Sequence, residues 1–279
     1  MGVNVQRWNE QANSTVIADL SDSPTRLLKS LTQGKKVTST VVMTKRIAEA
    51  SPRFKARMAG VSYLLGALTS VLGQMVVLGM LVEPGSATAT AANILSHESL
   101  FRLGFVCSLM TVPFHLVWAV LFYGLFGPVN SSVSLLAVFI LLLGCTMWTL
   151  SSLLHLAPLV VLQSKISLSA FAPEQLQALA LMLLKLNARA YDIGLVFFGF
   201  WCALIGYLIF RSIFMPRIIG VLEVLAGVGY VTLLWQPLAH YLYPYNLALA
   251  GPGEISLMLW LLVKGVNEQR WKEQASLGQ

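Results

Sequence analysis

The chain has 279 residues, of which 56% are hydrophobic and only 11% charged. Soluble globular chains carry about 25% charged residues, so a water-solvated globule is excluded as the main form. The formal charge of +7 is explained below by where the basic residues stand, which excludes a nucleic-acid footprint.

Apolar stretches of about 20 residues recur along the chain and match a hydrocarbon core about 30 Å thick. Closed β-barrels also satisfy the backbone in lipid, but they need alternating strands of roughly ten residues. The runs here are continuous and rich in Leu, Ala, Val and Gly. They predict an all-α, polytopic membrane helical bundle of about six transmembrane helices plus one or two surface helices.

Three parts are expected: a polar, disordered tail at 1–42, a six-helix membrane domain at 43–266 and a short polar tail at 267–279. Residues 1–42 are rich in Ser and Thr and lack the apolar core of a signal peptide; Met43 offers a second start just before a basic run. The first span is predicted from about Met58 to Val82, ending at the turn signal Glu83-Pro84-Gly85. An Ala/Thr-rich stretch from Ser86 to Leu95 reads as a short surface helix. The second span runs from about Gly104 to Phe126, and the third from near Ser132 to about Val161. Pro173-Glu174-Gln175 has the form of a helix start. An unbroken helix from there to Phe210 would be about 57 Å long, so the expectation is a surface helix from Pro173 to Arg189 and a fourth span from Ala190 to Phe210. The fifth runs from Pro216 to about Trp235, and the sixth lies between Asn246 and Val263.

Basic residues near span ends set the orientation. Lys45, Arg46, Arg53, Lys55, Arg57, Arg211, Arg217, Lys264, Arg270 and Lys272 fall on one side; Arg102, Lys165, Lys185 and Arg189 fall on the other. Ten against four predicts a cytoplasmic (inner) membrane protein with both termini in the cytoplasm. Cys107, Cys145 and Cys202 all lie in apolar runs and read as small buried hydrophobes rather than metal ligands. Glycines seven apart (Gly66 and Gly73, Gly199 and Gly206, Gly220 and Gly227) share a helix face and predict close helix packing.

Several segments, in order, carry a resemblance: Arg57-Met-Ala-Gly-Val-Ser-Tyr-Leu-Leu-Gly66, Ala91-Ala-Asn-Ile-Leu95 with Leu100-Phe-Arg-Leu-Gly104, Gly194-Leu-Val-Phe-Phe-Gly199, Gly206-Tyr-Leu-Ile-Phe-Arg-Ser212 and Leu259-Trp-Leu-Leu-Val-Lys-Gly-Val266. From about Met43 to Val266 the chain resembles a bacterial membrane family known as domain of unknown function 4386. The resemblance implies a polytopic membrane protein and brings no activity with it. Members of that family often carry His where this chain has Asn187 and Trp201.

An ionisable group inside a span costs roughly 2.5 to 3.5 kcal/mol on insertion scales and needs a partner or a wet cavity. Counting along the spans places His115 near the midplane and Glu223 in the inner leaflet, with Asp192, His155, Glu98 and Arg102 near the outer boundary. Glu254 follows Gly251-Pro252-Gly253 and stands only nine residues from Lys264. That places it near the midplane directly after an expected helix break, of the kind tolerated where it lines a cavity. Glu98 with Arg102, and Arg189 with Asp192, are spaced to pair along a helix. His115, two residues after Pro113, is placed to bond a carbonyl that the proline frees.

The resulting expectation is binding or transport of a small polar or amphipathic ligand in an outward-facing cavity lined by Glu254, Asp192 and Arg189. His115, Glu223, Glu98 and Arg102 are further candidates. The alternative is an intramembrane enzyme acting on a lipid or lipid-linked substrate with a His/carboxylate site. His97, Glu98, His155, Asp192 and His240 are of donor types that zinc accepts, but no HExxH or comparable spacing joins them. No metal site is therefore expected, His155 and His240 being the nearest to candidates. No nucleotide loop, redox motif or nucleophile elbow is present in the sequence, so no cofactor is expected. The partners expected are the lipid bilayer and a small-molecule or lipid ligand, with no nucleic acid.

Overall fold

The computed structural model describes residues 51–164 and 171–277. The tail at 1–42, the start at Met43, and Lys165 lie outside the described residues.

Helix α1 runs from Pro52 to Leu81. Ser51 caps it, its Oγ accepting the Phe54 amide at 3.2 Å, and Pro52 occupies the first turn, where no amide is needed. Between Val71 and Val77 the α-helix widens into a π segment. The chain then turns through Gly85, whose φ of +92° favours glycine. Helix α2 (Ala87–Ser96) follows, capped by the Ser86 hydroxyl. Helices α3 (Glu98–Phe126), α4 (Ser131–Gln163) and α5 (Pro173–Arg211) are the long ones. Helix α6 (Arg217–Val231) ends in a 3₁₀ turn at Thr232–Leu234 and leads to the short α7 (Gln236–Leu242). Helix α8 (Tyr245–Val263) precedes α9 (Glu268–Leu277).

Six of these are long and apolar enough to cross a membrane: α1, α3, α4, α5, α6 with its 3₁₀ turn, and α8. They pack as a closed ring in chain order, α1 on α3, α3 on α4, α4 on α5, α5 on α6, α6 on α8 and α8 back on α1. The chain is an all-α polytopic bundle. Short connections force neighbours in sequence to be antiparallel neighbours in space, as in up-and-down bundles. Large aromatic side chains fill the ring, with Trp118 stacked on Trp201 at 5.0 Å and Trp201 on Phe198 at 5.3 Å.

Glycines set the spacing between helices. A methyl added at Gly206 would stand 2.6 Å from the Gly220 carbonyl oxygen, and one at Gly199 2.8 Å from that of Gly227. The seven-residue pairs of α5 and α6 thus form one backbone-to-backbone seam, the packing expected of them. Gly60 of α1 stands equally close to Leu262 of α8, at 2.9 Å. At the face of the bundle where the described chain begins, Trp271 of α9 donates its indole Nε1–H to the Leu125 carbonyl at 2.8 Å. Arg270 reaches the Ile213 carbonyl at 3.4 Å, so α9 clasps the end of α3 and the α5–α6 loop. This is the terminal face; the loops at 82–97 and 235–244 mark the opposite one.

Three expectations differ from this architecture. Helix α5 is continuous over 39 residues, where a surface helix and a separate span were expected. Between Pro173 and Gly194 no proline or glycine offers a break, and Ala180 and Leu184 are buried in packing against neighbouring helices rather than lying on lipid. The second span begins at Glu98 rather than near Gly104, so Glu98 and Arg102 belong to its first turns. Helix α8 passes unbroken through Gly251-Pro252-Gly253. A proline removes one backbone donor, a loss that transmembrane helices tolerate. The polar C-terminal segment carries α9.

Candidate functional site

A cavity of about 290 Å³ opens inside the ring and is lined from all six spanning helices. Its walls are largely aromatic: Tyr63, Trp148, Tyr191, Phe198 and Tyr230. Ala67, Ser70, Val71 and Met75 of α1 face Leu247, Gly251 and Glu254 of α8 across it. The π segment supplies part of that wall. Wide turns of this type recur at functional sites because they re-aim side chains without ending the helix. Val71 and Met75 are exposed at the rim, toward the opposite face. Ser70 and Tyr191 tie α1 to α5 through their hydroxyls at 2.7 Å.

The deep end of the cavity is polar. Tyr63 donates its hydroxyl to Oε2 of Glu254, and the Cys202 thiol donates to Oε1 at 3.5 Å. Behind Cys202 stands Glu223, fully buried, with neither carboxyl oxygen hydrogen-bonded. The thiol sulfur and one oxygen of each carboxyl all lie within 4.8 Å of one another. Three helices bring the three groups together, Cys202 from α5, Glu223 from α6 and Glu254 from α8. The backbone seam fixes two of those helices. The third is held where a methyl at Gly253 would meet the Leu222 carbonyl at 2.6 Å.

His115 also lines the cavity and is buried. Its Nδ1 bonds the Thr111 carbonyl at 2.8 Å, the oxygen one turn back from His115 itself, rather than the carbonyl that Pro113 leaves free. The ring lies between Trp118 and Trp148 at 4.5 and 4.6 Å, and Gly66 leaves room for it.

The remaining candidates lie elsewhere. Arg189 and Asp192 pair at 3.5 Å, and Arg189 also donates to Gln236. They line a separate groove on the outside of α5, with Ile193 and Leu234, and not the cavity. Along one helix they are aimed away from Glu254 because α5 presents Tyr191, Leu195 and Phe198 to the interior instead. Glu98 pairs with Arg102 at 2.7 Å and accepts from Gln163 at 2.7 Å, an exposed network at the opposite face. His155 is buried against Phe101, its Nε2 near that carbonyl at 3.2 Å, while His240 is exposed on α7. The outer His/acid group does not assemble. Among the described residues, the cluster with donor atoms close enough for one metal ion is Cys202, Glu223 and Glu254.

The sequence reading therefore found Glu254, Glu223 and His115, and missed Tyr63, Cys202 and the aromatic wall. A usable signal was present in Tyr63. It stands well inside its span, away from the interfacial depth that aromatic belts occupy, and a hydroxyl at such depth needs a polar neighbour.

Comparison with known proteins adds a family and no activity. A family model described as "Domain of unknown function (DUF4386)" matches residues 58–265. An uncharacterized protein of Archaeoglobus fulgidus is 33% identical over 76 residues, which is 26% of this chain and 45% of that protein. The chain thus spans less than half the length of that relative. No solved structure matches.

Proposed function

The chain belongs to the family described as domain of unknown function (DUF4386), and from the interior of its ring we propose that it binds a small amphipathic molecule with a cationic head. The supporting observation is the cavity wall: five aromatic rings surround the approach to one carboxyl group, Glu254. Aromatic faces attract organic cations, by about 2 kcal/mol or more when desolvated. A half-buried carboxyl group, Glu254, adds a charge partner, while Met75, Val71, Leu195 and Leu247 suit an apolar body. The volume stands near the lower end of the 300–1,000 Å³ typical of small-molecule sites. The excess of basic residues near the terminal face supports a reading in which that face and both termini are cytoplasmic and the cavity opens outward across a cytoplasmic membrane.

One assay tests access and ligand together. Gly251 lines the cavity, and a side chain there meets nothing within 4 Å. Gly253 is unsuitable for the same purpose because it faces the Leu222 carbonyl. In proteoliposomes, Gly251→Cys should react with a membrane-impermeant thiol reagent added from the side of the opposite face, with the parent chain as background. Benzyltrimethylammonium should slow that labelling several-fold, and benzoate should not. Equal protection by both compounds, or no labelling while Gly85→Cys labels, would refute the proposal.

A further inference from the structure

We propose that Cys202, Glu223 and Glu254 bind a zinc ion. The inference goes beyond the cavity ligand; the two readings share Glu254, whose Oε2 meets Tyr63 on the cavity side and whose Oε1 meets Cys202 in the cluster.

Glu223 is the starting point. It is fully buried, and neither of its oxygens has a hydrogen-bond partner among the described residues. Glu254 is the next carboxyl to it, and the groups that touch Glu254 are neutral donors, Tyr63 and Cys202. Two carboxyl groups and a thiol so enclosed must take up protons or a cation, because an unpaired charge in such surroundings is costly.

Geometry favours the cation. Two carboxyls that share a proton lie at hydrogen-bond distance, about 2.5–2.7 Å. Glu223 makes no such bond. Instead the two carboxyls and the Cys202 sulfur surround a common point, with all donor atoms within 4.8 Å of each other. Around a tetrahedral zinc with bonds of about 2.0–2.3 Å, donor atoms stand about 3.3–3.8 Å apart. Side-chain adjustment of up to about 1 Å closes the cluster onto one ion. Glu254 has a suitable division of labour: Oε1 faces Cys202, while Oε2 accepts from Tyr63 on the cavity side.

The donor set selects the ion. One thiolate with two carboxylates suits zinc, whereas magnesium and calcium take oxygen donors and do not recruit a thiol. Binding releases the thiol proton and any proton on the carboxyls. Rigidity supports the assignment as well. Cys202 lies between Gly199 and Gly206, Glu223 between Gly220 and Gly227, and Glu254 next to Gly253, so each ligand is carried by backbone packed against backbone.

The test uses the full chain purified in mild detergent without chelator. Elemental mass spectrometry should find about one zinc per chain. After chelator treatment, cobalt(II) alone should restore a tetrahedral visible spectrum with a thiolate-to-cobalt charge-transfer band in the near ultraviolet. Cys202→Ser should abolish that band, and Glu223→Gln should weaken cobalt binding at least tenfold. Cys107→Ser, outside the cluster, should change neither. If Glu223→Gln fails to fold, Cys202→Ser with its spectroscopic readout still decides. Absence of zinc together with no charge-transfer band would overturn the proposal, as would a band that survives Cys202→Ser. An increase in thermal stability of metal-free Glu223→Leu, with no zinc in the parent, would identify the cluster as proton-holding only and would equally overturn it.

Discussion

The α5–α6 seam makes a quantitative prediction for Gly206→Val. The first carbon of any side chain at Gly206 would stand 2.6 Å from the Gly220 carbonyl oxygen. Ordinary van der Waals contact begins near 3.4 Å, so the helices must part by about 0.8 Å. A gap of that size forfeits between a quarter and a half of the attraction at each atom pair, worth about 0.1–0.2 kcal/mol apiece. Over roughly 40 pairs along the seam the loss is about 1 to 4 kcal/mol, centred near 2, which overlaps the range known for overpacking. Gly124→Val is the matched control, because a side chain at Gly124 meets nothing within 4 Å. It makes the same change in helix propensity, a few tenths of a kcal/mol, without the clash. Equilibrium unfolding in mixed micelles, followed by far-ultraviolet circular dichroism, should separate the two variants by about 2 kcal/mol or more. If they agree within about 0.5 kcal/mol, the close approach of α5 and α6 is refuted and with it the rigid placement of Cys202 and Glu223.

Two further outcomes are expected. Reporter fusions after Gly85 and Tyr245 should read as external and those after Asn130 and Ser212 as cytoplasmic; an internal signal at Gly85 would reverse the orientation drawn from the basic residues. Asn187→Leu should destabilise by about 0.6 to 1.7 kcal/mol, the scale of interhelical hydrogen bonds in membranes, because Asn187 Nδ2 donates to the Ser151 carbonyl at 2.7 Å and to its hydroxyl at 2.8 Å. A double-mutant cycle with Ser151→Ala in thermal unfolding should show the two side chains coupled, and zero coupling would contradict this pairing.

Much of the scaffold was legible because lipid imposes length and polarity on every span. The ends of the runs at Phe126 and Val263 were placed from hydropathy and turn signals alone. Breaks were less legible. Pro252 and Pro173 look alike as punctuation, yet one lies inside α8 and the other starts α5. The difference depends on what packs around each, and local sequence does not carry that. The site follows the same division. Glu254 and Glu223 were visible as charges in the wrong solvent, since depth along a helix is a count of residues. Cys202 was not, because its partners come from two other helices and no spacing within α5 distinguishes it from Cys145. Asp192 was drawn into the cavity by depth alone. Its azimuth on α5 places it outside, and azimuth is fixed only when the seam with α6 is known.

The contact of Gly60 with Leu262 has a mechanical consequence. Here α1 and α8 meet backbone to backbone; farther along, the Tyr63–Glu254 bond joins them, and beyond that the cavity parts them. The two helices therefore form a V whose apex lies near the terminal face. A rotation of about 10° about that apex would carry Glu254 by about 2 Å and Leu247 by about 4 Å, from lever arms of eight and fifteen residues at the helical rise. Small angular changes at Gly60 are thus magnified at the rim, and a bulkier residue at this fulcrum would prop the arms apart without touching the cavity itself.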